Sequence, residues 1–195
     1  MAAINPKRIT GKWTRGFALD IHTISSTHLG VNESGHDIFD TKRSELGELL
    51  YRLKYSADKS AATEIIAAAA AFVKPSLSKF DLLVPVPPSG ARPVQPVILL
   101  ATGIGAALNL PVSDCITTTR PATQLKGVMD PEKRKELVDG LYTVDVKQTK
   151  GRNILLFDDL FRSGSTMNAI TDLLMGKGKA ASVRALTITR TRSNQ

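Results

Sequence analysis

The chain has 195 residues, 42% hydrophobic and 23% charged, and a formal net charge of +8. That length supports one sizeable core, the balance is ordinary for a globular protein, and the positive excess favours anionic partners such as phosphates, nucleotides or nucleic acid. A single cysteine, Cys115, excludes an internal disulfide and a cysteine-based zinc cluster and suits a reducing compartment.

Residues 1–12 are polar, contain Pro6 and lack the apolar core of a signal peptide. The most apolar stretches are residues 65–73, too short to cross a bilayer, and residues 94–108, interrupted by Pro96, Gly103 and Gly105. A cytoplasmic protein with no membrane partner is expected.

Trp13, Phe17, Leu19 and Ile21 include the odd-numbered alternation of a half-buried strand. Residues 28–40, polar and holding Gly30 and Gly35, read as a loop. Residues 1–40 are therefore expected to form an N-terminal elaboration, strands or a hood, ahead of a helical lead-in and main domain over 41–195. Asp40 or Thr41 can cap a helix in which Leu46, Leu49, Leu50 and Leu53 recur at helical spacing. An alanine-rich second helix covers 57–73 and is stopped by Pro75.

The pattern then changes. Leu82, Leu83, Val84 and Val86 form a buried strand feeding a stiff loop with Pro85, Pro87 and Pro88. Residues 96–110 read as a crossover helix and 112–117 as a second strand. Residues 118–139 are polar, charged and without core periodicity, a length that suggests a functional loop. Leu141, Tyr142 and Val144 suggest a third strand, and residues 154–157 a continuous apolar one. Met167, Ile170, Leu173 and Leu174 mark a helix broken by Gly176 and Gly178, and Val183, Leu186 and Ile188 a last strand. This alternation predicts an α/β fold with a mainly parallel central sheet flanked by helices.

Residues 154–166, Ile-Leu-Leu-Phe-Asp-Asp-Leu-Phe-Arg-Ser-Gly-Ser-Thr, carry the chemical signal. A buried strand delivers Asp158 and Asp159 to its C-terminal end, where open α/β sheets bind ligands. Gly164 gives the following turn backbone freedom, and Ser163, Ser165 and Thr166 add hydroxyls ahead of a helix N-terminus. Amides, hydroxyls and the helix end favour a phosphate, with Arg162 as a further charge. The carboxylates can accept from ribose hydroxyls or hold magnesium through water. A nucleoside-triphosphate P-loop fits poorly because its Gly-Lys-Ser/Thr ending is missing. A phospho-acceptor aspartate pair would not need the Ser-Gly-Ser-Thr turn.

This segment resembles the phosphoribosyl-pyrophosphate (PRPP) motif of type I phosphoribosyltransferases, and the remaining pieces resemble the ComF-like branch of that family. Those pieces are Asp81-Leu-Leu-Val-Pro-Val-Pro87, Leu53-Lys54-Tyr55, Thr119-Arg-Pro-Ala-Thr-Gln124-Leu125, Arg134 and Asp139-Gly-Leu-Tyr-Thr-Val144. The resemblance covers about residues 42–190. It implies that Asp158 and Asp159 meet the ribose hydroxyls and the magnesium shell, and that Arg162, Ser163, Gly164, Ser165 and Thr166 wrap the 5′-phosphate. It also implies that residues 87–92, with Pro88, Ser89 and Arg92, meet the pyrophosphate, and that residues 118–139 close over the ligand. Three departures stand out. Arg162 and Ser163 replace the usual threonines, the loop over 88–95 is short and retains at most Arg92 and Gln95 of a basic run, and the N-terminal cysteine zinc module is absent.

The implied activity is transfer of a phosphoribosyl group from PRPP, with magnesium, to a nucleophile the sequence does not identify. The alternative is a non-catalytic phosphoribosyl-ligand sensor or a DNA-handling accessory, since ComF-like proteins are associated with DNA uptake. Lys54, beside an apolar stripe, is expected to reach solvent, or else to place its charge near the leaving pyrophosphate. His22, His28 and His36 match no compact zinc spacing and are expected to make local hydrogen bonds. Lys126, Lys133, Arg134 and Lys135 suit either a solvated helix face or a charged lid. Lys177, Lys179, Arg184, Arg190 and Arg192 could form a basic edge. Nucleic acid and a second copy of the chain both stay open as partners.

Overall fold

A computed structural model describes residues 2–56, 58–88, 90, 95–119 and 140–192. Its centre is a five-stranded sheet of β1 (Lys7–Arg8), β2 (Arg15–Ile21), β5 (Leu82–Pro85), β8 (Asn153–Phe161) and β9 (Ser182–Arg190). The spatial order is β1-β2-β9-β8-β5. All neighbours are parallel except the short edge strand β1, which runs antiparallel to β2. The mainly parallel sheet is as expected, with the apolar run 154–157 on an interior strand between β9 and β5.

Alternation along the strands divides the core between two faces. Leu155, Phe157, Leu186 and Ile188 pack with helices α1 (Glu45–Ser56), α2 (Lys59–Val73) and α3 (Pro96–Leu108). Ile154, Leu156, Val183 and Ala185 pack with Met167, Ile170 and Leu174 of the later helix α5 (Ser165–Met175), with Trp13 and with Tyr142. β5 and the first half of β8 therefore carry apolar residues on both sides, which is why they read as unbroken apolar runs.

The helices follow local rules. Ser44 caps α1: its Oγ accepts from the Gly47 N–H at 3.0 Å, a role the sequence suggested for Asp40 or Thr41. Those two residues are held in a strand instead. Asp58 caps α2, accepting from Ser60 N at 2.9 Å and Ala61 N at 3.3 Å. The chain then tightens into a 3-10 turn, Lys74–Lys79, around Pro75.

The N-terminal forty residues divide in two. Their first half supplies β1 and β2 to the main sheet. Phe17 and Leu19 face α2, with the Phe17 and Phe72 rings edge to face at 5.6 Å, while Trp13 lies in the opposite core. The second half is a separate antiparallel hairpin of β3 (Thr23–Val31) and β4 (Asp37–Arg43). The expected loop over residues 28–40 is thus mostly strand. Cross-strand pairing, such as Ser26 Oγ with Thr41 Oγ1 at 3.1 Å and His28 Nε2 with Asp37 Oδ1 at 2.9 Å, prevails over polar composition.

The expected second and third strands also differ. Val112 makes only an isolated parallel bridge to Leu83. β6 (Ile116–Thr118) and β7 (Tyr142–Val144) form their own antiparallel ribbon rather than joining the main sheet. A four-residue helix α4 (Val146–Thr149), capped by Asp145, leads from that ribbon towards β8.

Candidate functional site

β5 and β9 flank β8 but do not stop together. Pairing to β5 ends at Phe157, where the Val86 N–H donates to Phe157 O at 2.8 Å. Pairing to β9 continues through Leu160 and Phe161. Asp158 and Asp159 thus sit one step beyond the end of β5, on a strand still held rigid from the β9 side. A ligand crevice at the carboxyl end of a parallel sheet needs this kind of opening. The strand itself is longer than the apolar run 154–157, because backbone pairing does not depend on side-chain polarity.

Alternation aims the two carboxylates at opposite faces. Asp159 follows Phe157 onto the face of α1, and there its Oδ2 pairs with Lys54 Nζ at 3.0 Å. Both side chains are only 15% exposed, so Lys54 is neither solvated nor free. Asp158 follows Leu156 onto the face of α5. Its Oδ1 accepts from the Asp159 N–H at 2.8 Å. Burial, reinforced by the neighbouring Asp159 charge, pushes its carboxyl up to about 8, against the opposing pull of Lys54. Thr187, its register partner on β9, has a buried hydroxyl without a hydrogen-bond partner among the described residues.

The turn after β8 is built around Gly164, which adopts φ +76° and precedes the first residue of α5, Ser165. A side chain there would be strained and would meet the Phe161 ring, 2.9 Å from a Cβ. Phe161 is itself seated edge to face on Trp13 with ring centroids 6.1 Å apart. The hydroxyls of Ser163 and Ser165 are 2.9 Å apart. Arg162 and Ser163 are at the surface, Ser165 and Thr166 half-buried. The hydroxyls of Ser163 and Ser165 therefore lie together at the N-terminus of α5.

On the other side of β8, Pro87 and Pro88 continue from β5 and are half-buried. Gln95, just ahead of α3, donates from Nε2 to Gly90 O at 2.8 Å and spans the loop. Ser89 and Arg92 lie outside the described residues, as does the expected lid over residues 118–139 from residue 120 onward.

The structure adds residues that the motif did not name. His22 follows β2 at the same sheet edge, its Nδ1 3.1 Å from Thr189 Oγ1 on β9. Burial, Lys54, Arg43 and Arg162 lower its pKa against the pull of Asp159, which favours the neutral imidazole. The sequence alone groups His22 with His28 and His36, but those two sit on or beside the hairpin. Only the assignment of residues 15–21 to a core strand separates His22 from them.

No family model matches the chain. It is 29% identical over 158 residues to competence protein ComFC of Bacillus subtilis (strain 168), a match covering 77% of this chain and 62% of that protein. The chain thus spans less than two thirds of that relative's length. Among solved structures, an adenine phosphoribosyltransferase aligns over 86% of this chain and 85% of its own, with TM-score 0.51 and 13% identity. The glutamine PRPP amidotransferase from B. subtilis aligns over 81% of this chain and 35% of its own, with TM-score 0.51 and 16% identity. Adenine phosphoribosyltransferase from Trypanosoma brucei aligns over 94% and 73%, with TM-score 0.50 and 14% identity. Identities this low speak to fold alone: the chain has the fold of the type I phosphoribosyltransferases, and its sequence is similar to that of the competence protein ComFC.

Proposed function

We propose that this edge binds PRPP with magnesium and that the protein transfers the phosphoribosyl group to a nucleophile. The observation that carries the reading is the placement of Asp158 and Asp159 beyond the end of β5, directly ahead of the left-handed Gly164 turn. The ribose hydroxyls would donate to the carboxylates, the 5′-phosphate would rest on Ser163, Ser165, Thr166 and the α5 N-terminus, with Arg162 beside it, and the pyrophosphate would lie towards Pro87 and Pro88. In the reaction the acceptor's lone pair forms the bond to C1. The C1–O electron pair leaves with pyrophosphate, and any proton on the acceptor passes to solvent. The protein's part is orientation and fixed electrostatics.

No three His, Cys, Asp or Glu side chains converge on a metal position among the described residues. The donor set therefore fits a magnesium ion carried largely by the substrate's own oxygens and met by Asp158 or Asp159, the usual habit of this ion. When bound it would offset the charge of the pyrophosphate. Lys54 competes for the same carboxylate, and this favours a second reading: a phosphoribosyl-ligand sensor that binds without turnover. The match to a competence protein keeps a DNA-handling role within that second reading.

Calorimetric titration with PRPP and magnesium tests the site. The parent should bind with release of the proton held on Asp158. The Asp158→Asn, Asp159→Asn double variant should bind more weakly, losing roughly 1.5–3 kcal/mol for each charged hydrogen bond to Asp159, and less for Asp158 because its deprotonation opposes binding. Equal affinity in the folded double variant would place the ligand elsewhere. Pyrophosphate release in the presence of candidate nucleophiles separates enzyme from sensor.

A further inference from the structure

His22 is placed with more care than a loop residue. Its N–H donates to Arg190 O at 2.7 Å, and its carbonyl accepts from Ser44 N at 3.4 Å. The carbonyl also lies so close to α1 that a Cβ on Gly47 would be 2.1 Å from it. Ser44 Oγ donates to Ile21 O at 2.5 Å, tying the same corner to the α1 cap. The imidazole is half-buried at the ligand-binding edge of the sheet.

The hydrogen bond to Thr189 fixes its tautomer. Thr189 is fully buried, and His22 Nδ1 is the hydrogen-bond partner of its hydroxyl among the described residues. Had Nδ1 carried the proton, the Thr189 O–H would be left buried without an acceptor, an unfavourable arrangement for a buried hydroxyl. The hydroxyl therefore donates to Nδ1, and the proton of the neutral ring sits on Nε2. Nε2–H is a fixed donor, not a base.

Its position relative to the ribose follows from strand order. β5, which leads on to Pro87 and Pro88, lies on one flank of β8, and β9 and β2 on the other. A nucleophile attacks C1 opposite the leaving group, so the acceptor must enter from the flank where His22 and Thr189 stand. Lys54, Arg43 and Arg162 make the surroundings of the imidazole electropositive, with Asp159 the opposing charge.

We propose that His22 is the acceptor-side contact of this site, its Nε2–H donating to an electron-rich atom of the acceptor, such as a carbonyl or carboxylate oxygen or a ring nitrogen. This inference rests on the phosphoribosyl reading. It excludes acceptors that present only donors on this side.

The His22→Asn and His22→Gln variants separate the two ring nitrogens. The shorter asparagine amide overlays Nδ1, and the longer glutamine amide overlays Nε2. The probes are ribose 5-phosphate, which has no base at C1, and the nucleotides AMP, GMP and orotidine 5′-monophosphate, all with magnesium. Long-range proton–nitrogen NMR of the parent should find His22 as the Nε2–H tautomer. That resonance should move with at least one nucleotide and stay unmoved by ribose 5-phosphate. His22→Asn should weaken that nucleotide roughly tenfold relative to ribose 5-phosphate, and His22→Gln should keep most of its affinity. An Nδ1–H tautomer, a resonance indifferent to every nucleotide, or equal loss for ribose 5-phosphate and nucleotide would each overturn the proposal while leaving the phosphoribosyl site standing. A parent that binds neither ribose 5-phosphate nor PRPP would overturn both.

Discussion

Replacing Asp158 by asparagine should stabilise the fold at neutral pH while weakening the ligand. Burial and the adjacent Asp159 raise the Asp158 carboxyl from 3.8 to about 8, so the folded chain holds a proton that the unfolded chain releases. The sign follows from proton linkage. A group with a raised folded-state value contributes its full stability below the unfolded value, and that contribution falls as pH climbs towards the folded one. Between pH ~4 and ~8 the slope from one such group approaches about 1.4 kcal/mol per pH unit. Asparagine keeps the shape and the acceptor oxygen for the Asp159 N–H, 2.8 Å away in the parent, but cannot titrate. Urea unfolding of parent and variant at several pH values from ~5 to ~8 should give a stability difference that grows steadily in the variant's favour. PRPP titration should run the other way, because the ribose site needs the carboxylate. Parallel stability profiles, or a variant less stable than the parent at pH 7, would refute the reasoning that this carboxyl is held protonated by its surroundings.

Lys54→Met should destabilise the protein by about 3 kcal/mol, since it leaves Asp159 largely buried without its cation. Adding Asp159→Asn should recover most of that loss, and a double-mutant cycle without coupling would count against the pair. Gly47→Ala should cost about 1–3 kcal/mol in chemical denaturation despite alanine's better helix propensity, because its Cβ would press on His22 O. A stabilised variant would mean that α1 can move away freely. Gly164→Val should lose about 1–2 kcal/mol from the left-handed backbone alone and abolish phosphate binding by calorimetry. Retained binding would show that the turn does not present the phosphate.

The order of elements from β5 to β9 was legible because a doubly covered parallel strand is apolar on both faces and leaves an unbroken run. Residues 82–86 and 154–157 are such runs. The Asp pair and Gly164 were legible for a related reason: the chemistry of the turn is local, and a left-handed residue ahead of a helix leaves its glycine in the sequence. Residues 28–40 carry no such signal, because a solvated hairpin has no buried face to impose alternation. Its pairing is decided across strands, as in His28 with Phe39. What only the tertiary structure decided is everything set by neighbours distant in the chain. β5 stops at Phe157 while β9 runs on, which opens the edge at Asp158. α1 packs so that Lys54 meets Asp159 from a distant part of the chain. β2 docks beside β9, which brings His22 to Thr189 at the rim. Local composition sets which residues can do chemistry, but only the packing of strands from the two ends of the chain sets which of them share one site.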